Sequence, residues 1–147
     1  MVVIVGCIIA KDNKLLMVQE ASQDCYGLWT FPAGHLDEPE KITDAAIREV
    51  YEETGCKVKL TGVLPIKLIT KNDGTQRLHI RFVAEVLEES SNFNKEEILD
   101  VKWIDIEKVK QMTKQELREY DLSLKQLENY EQNKIYPLEL FDESAIN

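Results

Sequence analysis

The chain lacks the groups that would tie it to an extracellular, membrane or nucleic-acid setting. Its three cysteines, Cys7, Cys25 and Cys56, are odd in number, far apart and without a C-x-x-C pair. They offer neither a disulfide framework nor a zinc knuckle, and a reducing cytoplasm suits them. Basic residues are outnumbered, 18 against 27 acidic, for a formal charge of −9. The basic stripe needed for contact with a nucleic-acid backbone or an anionic membrane is therefore missing, and an anionic substrate must be met by a cation or a local basic pocket. The apolar opening from Met1 to Ala10 is too short to span a bilayer, lacks a basic leader and runs into Lys11-Asp12-Asn13. It reads as a strand and not as a targeting signal. With no repeat and no linker rich in Pro, Gly or Ser, residues 1–147 read as one domain, large enough to bury roughly two thirds of its unfolded surface.

What is present alternates between strand and helix signals. Val2 to Ala10 is a nearly continuous β-branched run, expected to be buried on both faces, and Lys11 to Lys14 turns into a second strand, Leu15 to Gln19. Leu28 to Pro32 is a short extended piece, and a loop from Ala33 to Ile42 follows. Lys57 to Thr70 reads as extended chain interrupted by Pro65, Asn72-Asp73-Gly74 as a hairpin turn, and Gln76 to Glu88 as the return strand. In that strand Arg77, His79 and Arg81 alternate with Leu78, Ile80 and Phe82, so three basic or titratable side chains share one face. The plain alternative is an exposed sheet face; the functional one is that His79 or Arg81 meets phosphate oxygens. Ile98 to Ile104 is the last strand, and Asp105 is placed to cap a short helix. Thr113 with Glu116 and Ser123 with Gln126 have capping-box spacing, predicting one or two helices to about Asn133. There Leu117, Tyr120, Leu124 and Leu127 recur at helical spacing and should cover the sheet.

The stretch from Thr43 to Gly55 reads most clearly. Thr43 is the expected N-cap, Asp44 suits the positive end of the helix dipole, and Gly55 supplies the stop. At about 100° per residue, Glu49, Glu52 and Glu53 fall in one arc, with Ile47, Val50 and Tyr51 on the opposite side. Like charges at i,i+4 cost an isolated helix a few tenths of a kcal/mol. A solvated face would tolerate that cost, and a divalent cation, which takes carboxylates, phosphate oxygens and water, would remove it.

Spacing decides between the two. Gly34, five residues, Glu40, seven residues, Arg48-Glu49-Val50, one residue, Glu52-Glu53, one residue, Gly55 resembles the Nudix box. Without counting Val50, seven such identities at fixed spacing arise by chance on the order of once in a hundred million start positions. Cys56 stands where the family usually has an aliphatic residue, and a thiol there is a small hydrophobe expected to pack on the core.

This resemblance to the Nudix hydrolase family implies an α+β fold, a mixed β-sheet sandwiched between α-helices. It implies that Glu49, Glu52 and Glu53 bind Mg2+ or Mn2+ with help from the Gly34 carbonyl. Arg48 would fix a glutamate, and Glu40 would be structural or would support a ligand from behind. The reaction implied is attack of water on phosphorus, with either Glu53 or Glu97 as the base. Leu28-Trp29-Thr30-Phe31-Pro32-Ala33-Gly34-His35 and Tyr136-Pro137-Leu138-Glu139 resemble the bacterial branch of phosphatases. Those act on nucleoside di- and triphosphates, thiamine pyrophosphate and hydroxymethylpyrimidine pyrophosphate. Trp29 and Tyr26 are candidates for stacking on a heteroaromatic ring, with an ordinary core role equally open. The expected partner is a small phosphorylated metabolite, with no nucleic acid and no membrane. The alternatives are a pyrophosphatase of ADP-ribose or another nucleoside diphosphate derivative, and a nucleotide-sensing domain without catalysis. RNA 5′-end processing sits poorly with the −9 charge.

Overall fold

The computed structural model describes residues 1–146. Strand β1 (Val2–Lys11) is the axis of the fold. Val5, Cys7, Ile8 and Ile9 are fully buried, as a β-branched run without polar alternation requires of a strand covered on both faces. Asp12 and Asn13 take left-handed φ of 52° and 62°, a pair that closes a tight hairpin into β2 (Lys14–Glu20). The two strands pair only next to the turn, Ala10 with Leu15 and Lys11 with Lys14, and then diverge. From there β2 pairs with β3 (Trp29–Thr30) and with β8 (Ile98–Asp105). On its other side β1 runs parallel to β7 (Gln76–Glu88), which also carries β5 (Lys57–Val63) and β6 (Lys67–Thr70) antiparallel. The sheet is mixed, in the order β3-β2-β1-β7-β5.

One helix covers each side. On the first, α1 (Ile42–Thr54) packs Ala45, Ala46 and Val50 onto Val5, Cys7, Ile9 and Phe82, and Cys56 joins this core as expected. On the second, Leu127 of α3 (Tyr120–Glu131) and Leu117 before it pack with Ile8, Leu15, Met17 and Phe31. Tyr120 and Leu124 border the same core. A short helix, α2 (Ile106–Lys110), links β8 to the turn before α3. All three cysteines are buried and unbridged. Among the described residues no helix is long and apolar enough to cross a membrane.

Several sequence expectations are corrected by partners distant in the chain. The stretch after Pro32 is not loop throughout: Ala33–His35 forms β4, pairing antiparallel with Ile4 to Gly6 of β1. Helix α1 begins at Ile42 with Lys41 in the N-cap position, so Thr43 lies inside the first turn. Glu143 caps it instead, accepting from the amides of Ile42 (2.5 Å) and Thr43 (3.4 Å) and from the Thr43 hydroxyl. At the other end Gly55 takes φ 79° and its N–H reaches the Tyr51 carbonyl, as the stop signal predicts. Tyr51 itself is exposed. Thr113 and Glu116 do bond to each other but close a turn without a helix. Ser123 and Gln126 lie within α3, where Ser123 donates to the Arg118 carbonyl.

Candidate active site

The Cβ-less Gly34 of β4 lies against α1 so closely that a side chain there would collide with the Glu49 carboxylate. One residue earlier, the Ala33 amide donates to Glu53 Oε1 at 2.9 Å. The two glutamates predicted to line an acid face are thus turned inward and buried, Glu49 to 9 % and Glu53 to 6 % exposure, while Glu52 stays exposed. Burial pushes the Glu49 carboxyl above its ordinary value, with Arg48 opposing, and pushes Glu53 well above it, with the Ala33 N–H opposing.

Arg48 organises this wall. Its Nε and Nη2 grip Glu40 in a fork, at 2.9 and 2.6 Å. Its Nη1 reaches Glu49 Oε1 at 2.9 Å and both oxygens of Glu52 at 3.2 Å, and Nη2 also meets the His35 carbonyl. Glu40 therefore anchors the arginine, and its hydrogen bonds to Arg48 lower its own pKa. No donor among the described residues reaches Glu49 Oε2 or Glu53 Oε2, since the hydrogen bonds to these two side chains go to Oε1. Among the described residues no three His, Cys, Asp or Glu side chains already converge as a closed metal site. An open site using few carboxylates is what a cation that keeps water and substrate oxygens needs.

Ala33 and Gly34, against which Glu53 and Glu49 rest, also line a cavity with a basic wall. The alternation in β7 does place Arg77, His79 and Arg81 in this one cavity of about 120 Å³, with His79 and Arg81 buried and Arg77 half-buried. Arg81 is held by Gln126 Oε1 (3.0 Å) and the Pro32 carbonyl (3.3 Å), with its guanidinium 5.5 Å from the Phe31 ring centroid. Arg77 Nε and both ring nitrogens of His79 are buried without a hydrogen-bond partner among the described residues. The Glu119 carboxylate is 3.9 Å from His79 Nε2. Burial lowers the His79 pKa, with Glu119 opposing.

Three residues of this cavity escaped the sequence reading: Glu20, Arg118 and Glu119. Glu20 ends β2, buried to 7 %, with Arg118 Nη1 at 3.4 Å, and burial raises its pKa. A lone acid closing the apolar run Leu15 to Val18 is the available signal. Arg118 arrives because its amide donates to the Trp29 carbonyl, and the Trp29 amide to Glu116. The Trp29 side chain is elsewhere, in a recess with Lys14, Lys102 and Trp103, its ring under Lys102, so the structure does not bring it to the carboxylates. Tyr26 is exposed. Glu97 is exposed but near enough that its charge helps raise the pKa of Glu20, Glu49 and Glu53.

A family model of the NUDIX domain matches residues 1–125. The chain belongs to the NUDIX family. A NUDIX hydrolase from Nitrosomonas europaea superposes with a TM-score of 0.86 at 28 % identity, covering 97 % of this chain and 96 % of that one. Among curated NUDIX relatives, the phosphatase NudJ of Escherichia coli is 29 % identical over 94 % of this chain and 88 % of its own length. The 8-oxo-dGDP phosphatase NUDT18 of Danio rerio is 40 % identical over 56 % of this chain, a stretch that makes up 24 % of that protein. The chain thus matches only about a quarter of that longer relative. The mixed sheet between helices is the NUDIX fold.

Proposed function

We propose that this NUDIX protein is a divalent-cation-dependent phosphohydrolase that removes the terminal phosphate of small organic di- and triphosphates. Nucleoside di- and triphosphates and thiamine or hydroxymethylpyrimidine pyrophosphate are the candidate substrates. The observation that carries this reading is the cavity of about 120 Å³ that Glu20, Arg77, His79, Arg81 and Arg118 line together with Ala33 and Gly34, the two residues against which the buried Glu53 and Glu49 rest. Pockets that enclose organic ligands run to roughly 300–1,000 Å³, so this cavity suits a phosphate better than a ring. The alignment with phosphatase NudJ along most of both chains supports the same reading.

The donor set fits a hard cation: Glu49 Oε2 and Glu53 Oε2 are open to it, beside a glycine whose backbone comes close. Glu49 and Glu53 would hold the ion, with the Gly34 carbonyl and Glu52 as the family resemblance implies. When bound, Mg2+ or Mn2+ neutralises phosphate oxygens and lowers the pKa of water. Arg48 acts from behind, fixing Glu49 and Glu52 while Glu40 fixes it. Arg77 and Arg81 orient the phosphate through charge-assisted hydrogen bonds. Water adds to the terminal phosphorus, the bridging P–O bond breaks with its electron pair left on the departing ester phosphate, and the water's proton passes to a carboxylate. Glu53, fixed by the Ala33 amide, takes that role, and Glu97 is the second candidate.

Product analysis with magnesium across ATP, ADP, thiamine pyrophosphate and ADP-ribose tests the proposal. Orthophosphate from several of these is expected. AMP from ADP-ribose without turnover of thiamine pyrophosphate would move the chain to the pyrophosphatases of nucleoside diphosphate derivatives. Binding without any turnover would make it a sensing domain.

A further inference from the structure

We infer that His79 is a substrate-contacting residue that becomes an imidazolium when the ester phosphate enters the polar cavity, donating one ring N–H to Glu119 and the other to that phosphate. The inference rests on the phosphohydrolase reading and deepens it, adding a proton to what the site takes up with its substrate.

The hydrogen-bonding capacity of the ring points to this. The backbone of His79 is paired on both sides, opposite Ile4 of β1 and Lys67 of β6, so it cannot carry the ring out of the cavity that the residue lines. His79 is 2 % exposed, and neither ring nitrogen has a hydrogen-bond partner among the described residues. A neutral imidazole has one N–H and one lone pair, whereas an imidazolium has two N–H donors. Glu119 Oε2 lies 3.9 Å from Nε2, just outside hydrogen-bond range, which leaves the other ring nitrogen for a phosphate oxygen. Both partners are then acceptors. A neutral ring sets its lone pair against one of these two anions, and the imidazolium pairs with both.

Charge favours the same change. The groups that face His79 are Arg77 and Arg81 of its own strand, Arg118 and Glu119 from the turn before α3, Glu20 at the end of β2, His35 of β4 and Lys67 of β6. Burial foremost, together with the three arginines, holds His79 below its ordinary 6.5 against the pull of Glu119. A phosphate brings negative charge into the midst of those arginines and reverses the balance. A solvent proton therefore joins the ring as the phosphate arrives and leaves with it.

Sodium sulfate titrated into the intact chain at pH 7 without magnesium tests this. Sulfate is a tetrahedral dianion that does not titrate near neutrality, so every proton taken up belongs to the protein. The chain has two histidines, His35 and His79, which long-range ¹H–¹⁵N correlation of the imidazoles resolves. His35→Gln, at an exposed position, leaves one signal and so assigns His79. That signal is expected to pass from the neutral to the imidazolium pattern as sulfate saturates. Calorimetry in two buffers of different ionisation enthalpy should give uptake of about one proton, lost in His79→Gln and reduced at least by about half in Glu119→Gln. Affinity should fall as pH rises from 6 to 8, by at most about tenfold per unit for one proton. A His79 ring that stays neutral at saturation, uptake unchanged in folded His79→Gln, or no saturable binding of sulfate would overturn the inference. Should His79→Gln fail to give a cooperative thermal melt, the imidazole spectrum of the otherwise unmutated chain decides. Turnover is not read here, so failure of the phosphohydrolase reading appears separately, as absence of orthophosphate from the substrate panel.

Discussion

Replacing Glu53 by Gln separates the cost of a buried anion from its use. Glu53 makes a hydrogen bond through Oε1, to the Ala33 amide, and glutamine keeps that acceptor while removing a charge held at 6 % exposure. Without a cation, an uncompensated buried group of this kind costs about 1–3 kcal/mol. For a domain of this size about 2–4 °C accompanies each kcal/mol, so cation-free Glu53→Gln should melt some 2–12 °C above the unmutated protein. The advantage should shrink as pH falls toward 4.5, the ordinary carboxyl value. The sign follows from the raised folded pKa. Folded Glu53 holds a proton that the unfolded chain has lost, so its neutral form costs nothing at low pH, and stability is lost as pH rises through the folded value. His79, whose burial-lowered pKa acts in the opposite direction below its ordinary 6.5, is common to both proteins and cancels in the comparison. Magnesium at about 100 times its dissociation constant adds about 2.7 kcal/mol, or roughly 5–11 °C, to the unmutated protein and little to the variant. Differential scanning fluorimetry with and without magnesium, from pH 5 to 8, reads all of this. A cation-free variant that melts lower than the parent, or one that keeps the full magnesium shift, refutes the reasoning.

Other perturbations follow from named contacts. Gly34→Ala forces the Glu49 carboxylate aside, and a displacement of about 1 Å at a reacting centre costs about 100-fold; kcat should fall by that order with the fold retained by circular dichroism. Arg48→Lys loses the fork onto Glu40 and should lower magnesium-dependent kcat/KM by about 10–100-fold. Glu143→Ala removes the cap of α1 and should cost about 0.5–2 kcal/mol in urea unfolding. Burial pushes the Cys7 thiol to about 12, so iodoacetamide at pH 8 should leave it unmodified in the folded protein and alkylate it in denaturant, as mass spectrometry of the Cys7 peptide will show.

Local rules carried the sequence reading a long way wherever the partner is close in the chain. Gly55 ends α1 through its own neighbour Tyr51, the Asp12-Asn13 turn closes between adjacent strands, and the strand read from Gln76 to Glu88 has those bounds in the structure. The reading failed where a distant residue outcompetes a local one. Glu143 reaches the α1 amides from about a hundred positions away, and Ser123 and Gln126 answer to Arg118 and Arg81 and not to each other. The box spacing brought Glu49, Glu53, Arg48 and Gly34 into view. Glu20, Arg118 and Glu119 carry no spacing signal, because the sheet path and the contact between Trp29 and Leu117 bring them to the cavity. The aromatic prediction for Trp29 fell on the other face of a two-residue strand whose next residue, Thr30, does line the cavity.

The central claim is that the carboxylate wall acts on the terminal phosphate while the basic wall keeps the ester phosphate. Hydrolysis of ADP with magnesium in ¹⁸O-labelled water, read by ³¹P nuclear magnetic resonance, tests it most directly. The account predicts the label in orthophosphate and unlabelled AMP. Label in AMP would place attack on the ester phosphorus and contradict that division of the two walls.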